Sequence, residues 1–123
     1  MKRLAHSGLH LIANLHGVEA GVSVMTSLPA CKNLCRQAVK DAGLTLVGES
    51  FHDFGEGLGV TGALVLAESH LAIHTWPESG YVTLDVFVCN YTADNSDKAK
   101  QVFETLIEAY RPQRVQRIEL PRE

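Results

Sequence analysis

A succession of short extended segments, flanked by two amphipathic stretches, limits the folds open to this chain. Apolar residues recur at helical spacing after Ser27, a favourable N-cap residue, and the pattern stops at Gly43, which supplies the left-handed end that helices prefer. A second such stretch starts near Asn95 or Ser96 and ends before Pro112, because proline cannot continue a helix. We therefore expect two helices.

The remaining ordered segments are predicted to be strands. Their apolar and β-branched residues alternate or run together over strand-like lengths, and glycine, proline or aspartate bounds them. The segments are 8–16, 44–54, 60–67, 71–76, 81–89 and 114–120. Strands grouped in the middle of a chain with two amphipathic helices predict an α+β fold, a two-layer sandwich of an antiparallel β-sheet with two helices on one face.

One predicted strand suggests that the sheet is covered on both faces. The run from Gly62 to Ala67 is apolar at every position, and strands of this kind are usually buried on both sides. The two helices cover only one face, so the other face needs a different cover. A second copy of the chain provides one, and we expect self-association to at least a dimer.

Composition and charge exclude several classes of function. The 123 residues are 46% hydrophobic and 20% charged, as expected for a single globular domain spanning 1–123. A formal net charge of -3 argues against a nucleic-acid partner, and no apolar run approaches the roughly 20 residues that span a bilayer. The opening Met1-Lys2-Arg3 is not followed by the apolar region of a signal peptide, so we expect a cytoplasmic protein without a membrane partner.

The densest run of chemically capable residues extends from 68 to 78, with a cysteine beyond it. Ser69, His74 and Cys89 provide a hydroxyl, an imidazole and a thiol, which are the groups used in nucleophilic catalysis. If the following hairpin has a three-residue loop, Ser69 and Cys89 are cross-strand neighbours with Cβ atoms about 5 Å apart. A two-residue loop places Val88 opposite Ser69 instead. The same residues also fit a purely structural role.

Strand parity separates two of these residues. Ser69 and His74 differ by an odd number of positions, so they lie on opposite faces of a regular strand. A bulge or loop at Ser69 is needed to bring them together. The six histidines are scattered along the chain, without a recognised ligand spacing beyond His70 and His74, and we predict no metal site.

One long motif runs from residue 67 to residue 89. It reads Ala67-Glu-Ser-His-Leu-Ala-Ile-His-Thr-Trp-Pro-Glu78, then Gly80-Tyr81 and Leu84-Asp-Val-Phe-Val-Cys89. Shorter motifs precede it, namely Gly8-Leu-His-Leu11, Phe51-His-Asp-Phe54 and Gly59-Val-Thr-Gly62. Together these motifs resemble the processing and active-site signature of the short prokaryotic S-adenosylmethionine decarboxylases.

This resemblance implies a zymogen that makes its own cofactor. The Ser69 hydroxyl would attack the Glu68 carbonyl, and the chain would be cut between these two residues, so that Ser69 becomes a pyruvoyl group. The products would be the chains 1–68 and 69–123. By the same resemblance, His74 is the base that removes the Ser69 α-proton, and Thr61 stands where many relatives carry a serine that assists processing.

The resemblance also assigns residues to the decarboxylation itself. Cys89 would return a proton to the substrate after carbon dioxide leaves, Phe54 would stack on adenine, and Glu78 would hold the ribose hydroxyls. The implied function is S-adenosylmethionine decarboxylation, which supplies the aminopropyl donor for polyamine (spermidine) synthesis. Compared with the family's usual pattern, the connection from Phe54 to Thr61 is one residue longer, and Ser79 stands where an aromatic residue follows Trp-Pro-Glu. A pyruvoyl-dependent arginine or ornithine decarboxylase therefore remains an alternative, as does a ligand-binding domain without self-processing.

Overall fold

The computed structural model describes residues 7–91 and 93–122. Its elements are β1 (Gly8–His16), α1 (Ser23–Thr26), α2 (Leu28–Asp41), β2 (Leu46–Asp53), β3 (Val60–Leu66), β4 (Ser69–Trp76), a 3-10 turn (Pro77–Ser79), β5 (Tyr81–Cys89), α3 (Ser96–Tyr110) and β6 (Arg114–Arg122). All predicted helices and strands are present. The prediction missed α1, because four residues are too short to show a helical period.

The strands form one six-stranded antiparallel sheet in the order β2-β3-β4-β5-β1-β6. The long helices α2 and α3 pack against each other and on one face of this sheet. The predicted two-layer α+β architecture is therefore confirmed. Among the described residues, no helix combines the length and the apolar character needed to cross a membrane.

The core lies between the sheet and the helices. Alternate strand residues such as Leu64, Leu71 and Leu84 are at most 1% exposed, and Val39 and Leu106 meet them from α2 and α3. Burying a side chain of this size stabilises the fold by about 1.5–3 kcal/mol. The central strands β4, β5 and β1 are thus held rigidly, which fixes the position of any group at their ends.

The opposite face of the sheet, which we call the open face, is not covered by any helix or loop among residues 7–91 and 93–122. Its side chains include Thr61, Ala63, Val65, His70, Ala72, His74, Trp76, Tyr81, Thr83, Asp85, Phe87, Cys89, His10, Ile12, Asn14, His16, Gln116, Ile118 and Leu120. Val65, Ile118 and Leu120 are 53%, 59% and 48% exposed. Apolar side chains in solvent are consistent with a surface that another molecule covers.

The hairpin between β4 and β5 differs from the predicted one. Trp76 pairs with Tyr81 and His70 with Phe87, and this register places Val88, not Cys89, opposite Ser69. Of the two registers considered from the sequence, the one with Cys89 opposite Ser69 is wrong, because the connection is not a three-residue loop. It consists of the 3-10 turn and Gly80, whose left-handed φ of 60° closes it.

Candidate active site

Ser69 is the first residue of β4 and follows a two-residue turn made by Ala67 and Glu68. Glu68 has a φ of 64°, a left-handed conformation that costs a residue with a side chain about 1–2 kcal/mol. Ser69 is buried, and its Oγ has no hydrogen-bond partner among the described residues. A buried hydroxyl without a partner costs about 1–3 kcal/mol. Two unfavourable features thus coincide at one peptide bond, a pattern typical of a functional site.

His74 lies near the other end of β4, on the open face, and is held by its neighbours. It is paired across the strands with Thr61, whose Oγ1 lies 3.0 Å from His74 Nδ1. The Trp76 ring packs beside the imidazole, with centroids 5.9 Å apart and planes inclined by 31°. Sequence analysis did not single out Trp76, although its position two residues after His74 places both rings on one face.

A cavity of about 310 Å³ adjoins the His74–Thr61 pair. It is lined by Phe54, Leu58, Thr61, Thr75, Trp76 and Glu78. Phe54 is 55% exposed, so this ring is available to stack on a ligand rather than filling the core. Volume, exposed aromatic rings and one carboxylate suit a nucleoside-sized group. A second cavity of about 350 Å³ lies between α2 and β2 and contains none of the predicted site residues.

Local contacts explain how the loop from 54 to 59 is placed at this cavity. Thr75 is buried, and its Oγ1 donates to the Met25 carbonyl at 2.7 Å and accepts from the Val60 amide at 2.8 Å. Gly59 has a φ of 105°, and a Cβ there would collide with the Thr75 carbonyl oxygen. Only glycine fits this close approach, which gives a physical reason for the glycine that opens the motif Gly59-Val-Thr-Gly62.

Cys89 is the last residue of β5 and its side chain belongs to the open face. It is paired with Gly8 of β1, and its carbonyl accepts a hydrogen bond of 2.9 Å from Asn95 Nδ2. The thiol is partly exposed. Cys89 therefore lies at the same end of the sheet as Ser69 rather than at the end that carries His74.

The structure does not bring all the predicted site residues together within one chain. Ser69 and His74 are five positions apart in the sequence, about 16 Å along a strand. The register of β4 runs without a shift on both sides, so no bulge reverses the parity. Ser69 shares the helix-covered face with Leu71 and Ile73, whereas His74 lies on the open face. One end of the sheet carries Thr61, His74, Phe54 and Glu78. The opposite end carries Ser69 and Cys89.

Comparisons with known proteins agree with the motifs. A family model described as S-adenosylmethionine decarboxylase matches residues 9–123. The S-adenosylmethionine decarboxylase proenzyme of Persephonella marina is 37% identical over 108 residues, covering 88% of this chain and 76% of the relative. That of Archaeoglobus fulgidus is 37% identical over 106 residues, covering 86% of this chain and 88% of the relative.

A solved structure shows the same fold. The crystal structure of the adenosylmethionine decarboxylase from Aquifex aeolicus matches with a TM-score of 0.81 and 32% identity. The match covers 95% of this chain and 91% of that one. The chain therefore belongs to the S-adenosylmethionine decarboxylase family.

Proposed function

We propose that this chain is an S-adenosylmethionine decarboxylase that cuts itself between Glu68 and Ser69. Family membership supports the reaction, and the observation that carries the cleavage is the Ser69 hydroxyl. This hydroxyl is buried without a hydrogen-bond partner among the described residues, directly after a residue in the left-handed conformation. A hydroxyl that is engaged with no other group is free to attack the adjacent carbonyl.

The proposed cleavage proceeds in balanced steps. Ser69 Oγ bonds to the Glu68 carbonyl carbon while the peptide C–N bond breaks, which leaves an ester and a free amine. Loss of the Ser69 α-proton to a base then breaks the Cβ–Oγ bond and expels the Glu68 carboxylate. Water releases the nitrogen as ammonia and leaves a pyruvoyl group at the start of the chain 69–123. His74, with Thr61 Oγ1 at 3.0 Å from its Nδ1, is our candidate for the base.

The pyruvoyl group supplies an electrophilic carbonyl that takes up the electrons released when carbon dioxide leaves. The side chains of this protein bind and orient the substrate around it. Phe54 offers an exposed ring for adenine, and Glu78 offers a carboxylate for the ribose hydroxyls. Cys89 is our candidate for the acid that protonates the product at carbon.

We further infer that the site is completed across a dimer. Ser69 and Cys89 lie at one end of the sheet, and His74, Thr61 and the cavity lie at the other. A two-fold axis that runs across the strands, between two stacked open faces, would set the Ser69 end of one chain against the His74 end of its partner. The same arrangement would cover the exposed side chains of Val65 and Ile118.

The two proposed fragments should stay together after cleavage. In the sheet, β1 of the chain 1–68 lies between β5 and β6 of the chain 69–123, and β3 pairs with β4. Separating the fragments means breaking three strand pairings at once. Native size-exclusion chromatography should show one species that contains both chains, and denaturing mass spectrometry should resolve them. Fragments that separate under native conditions would contradict the interleaved topology.

Binding of the nucleoside can be tested at the cavity. Phe54→Ala and Glu78→Gln should each lower kcat/KM for S-adenosylmethionine, by an amount equivalent to about 1–3 kcal/mol of transition-state stabilisation. The first variant loses stacking on the ring, and the second loses a charged hydrogen bond. Glu56→Gln removes a carboxylate from the loop that carries Phe54, and Glu56 does not line the cavity. This variant serves as the matched control. If the parent uses arginine or ornithine more than about tenfold better, the proposed substrate is rejected while the cleavage proposal stands.

A further inference from the structure

Three ionisable side chains with no role in the proposed chemistry meet on the open face near Ser69. His10 Nε2 lies 3.1 Å from Asp85 Oδ2, and His70 Nε2 lies 3.8 Å from the same oxygen. The Phe87 ring contacts both imidazoles, with centroids 5.4 Å from His70 and 5.9 Å from His10. The three strands β1, β5 and β4 thus share one polar cluster built around the Asp85 carboxylate.

The cluster is arranged for hydrogen bonding rather than for a metal ion. Nη1 of Arg122 lies 3.4 Å from His10 Nδ1, and a guanidinium can only donate. The His10 tautomer with its proton on Nε2 satisfies both contacts, because Nε2 then donates to Asp85 and Nδ1 accepts from Arg122. If a metal bound Nε2, the imidazole proton would lie on Nδ1 and point at the Arg122 guanidinium. Metal-binding histidines normally donate from their second ring nitrogen to an acceptor instead.

Cleavage changes what holds residue 69. In the intact chain, the peptide bond to Glu68 and the turn after β3 fix the start of β4. A pyruvoyl group has neither a backbone N–H nor a side-chain hydroxyl, so it cannot donate a hydrogen bond to the sheet. His70 is the first residue of the new chain that has a side chain of its own. Its contacts with Phe87 and Asp85 lie on the neighbouring strand β5.

We propose that His70 is a positioning residue that anchors the new end of β4 after cleavage, an inference that rests on the proposed cut between Glu68 and Ser69. Phe87 packs against the ring of His70. The Asp85 carboxylate, which His10 also contacts, lies 3.8 Å from His70 Nε2 and attracts it. The anchor holds the reacting carbonyl in place relative to the substrate. Such placement matters because a shift of about 1 Å can cost about 100-fold in rate.

Kinetics of His70→Ala and Asp85→Asn test the proposal. Intact mass should show normal cleavage, whereas kcat for S-adenosylmethionine should fall about 10- to 100-fold. KM should change by less than about threefold, because neither His70 nor Asp85 lines the proposed nucleoside pocket. Combining both substitutions should cost no more than His70→Ala alone, since the two residues act as one unit. His70→Gln retains a donor for Asp85 and should recover part of the lost kcat.

A matched control comes from the same sheet face. His16 is hydrogen-bonded to Gln116 at 2.9 Å between side chains, and His16→Ala should leave kcat within about twofold of the parent. Cleaved variants that keep the kcat of the parent would overturn the anchor proposal but not the cleavage proposal. A loss of the dimer, or a change in KM as large as the change in kcat, would have the same consequence. A parent that stays uncut would overturn the cleavage proposal itself. If His70→Ala does not fold, the isosteric Asp85→Asn variant decides.

Discussion

Replacement of Ser69 by alanine should give a folded chain that never cuts itself. The substitution removes the only oxygen that we propose as the nucleophile, so the cleaved fraction should fall from near completion to zero and decarboxylation should be lost with it. Stability should not suffer. Ser69 Oγ is buried without a partner among the described residues, so its removal should leave the free energy of unfolding unchanged or raise it by about 1 kcal/mol.

Intact-mass analysis over a time course, together with thermal unfolding, measures both effects. The stability comparison uses the parent before it is cut, so that chain length is the same. Ser50→Ala, which removes an exposed hydroxyl from the edge strand β2, should cleave like the parent. Cleavage of the Ser69→Ala variant at the same bond would show that the nucleophile is a different group. A large loss of stability would show that the hydroxyl has an important partner.

The strands and long helices could be predicted because their signals are local. Strands β1 and β5 begin and end where alternation predicted them, at 8–16 and 81–89. The register of the β4–β5 hairpin could not be predicted in the same way. It depends on how Pro77 starts a 3-10 turn and Gly80 closes it, and a difference of one residue in the connection moves every cross-strand pair.

The site shows a different limit of sequence analysis. Motifs suggested candidate residues, but strand parity already set Ser69 and His74 on opposite faces, and neither β4 pairing shows the bulge that could bring them together. The cluster around Asp85 was missed altogether. His10 and Asp85 are 75 positions apart in the sequence, and only the insertion of β1 between β5 and β6 brings this end of the chain to β5.

A site shared between two chains predicts that two inactive variants restore each other. Ser69→Ala and His74→Ala homodimers should both be uncut and inactive, the first without a nucleophile and the second without the proposed base. In a mixed dimer, one of the two sites combines Ser69 of the His74→Ala chain with His74 of the Ser69→Ala chain, and both groups are intact. Random pairing gives about half mixed dimers, so about a quarter of all sites should be active.

Co-expression with two different affinity tags isolates the mixed dimer, and intact mass identifies which chain is cut. Only the His74→Ala chain should be cleaved, because it alone retains Ser69, and it should be cleaved only in the mixed dimer. If each site were built within one chain, every site of the mixed dimer would carry one defect. Neither chain would then be cut and no activity would return. The separation of about 16 Å between Ser69 and His74 along β4 favours the shared arrangement.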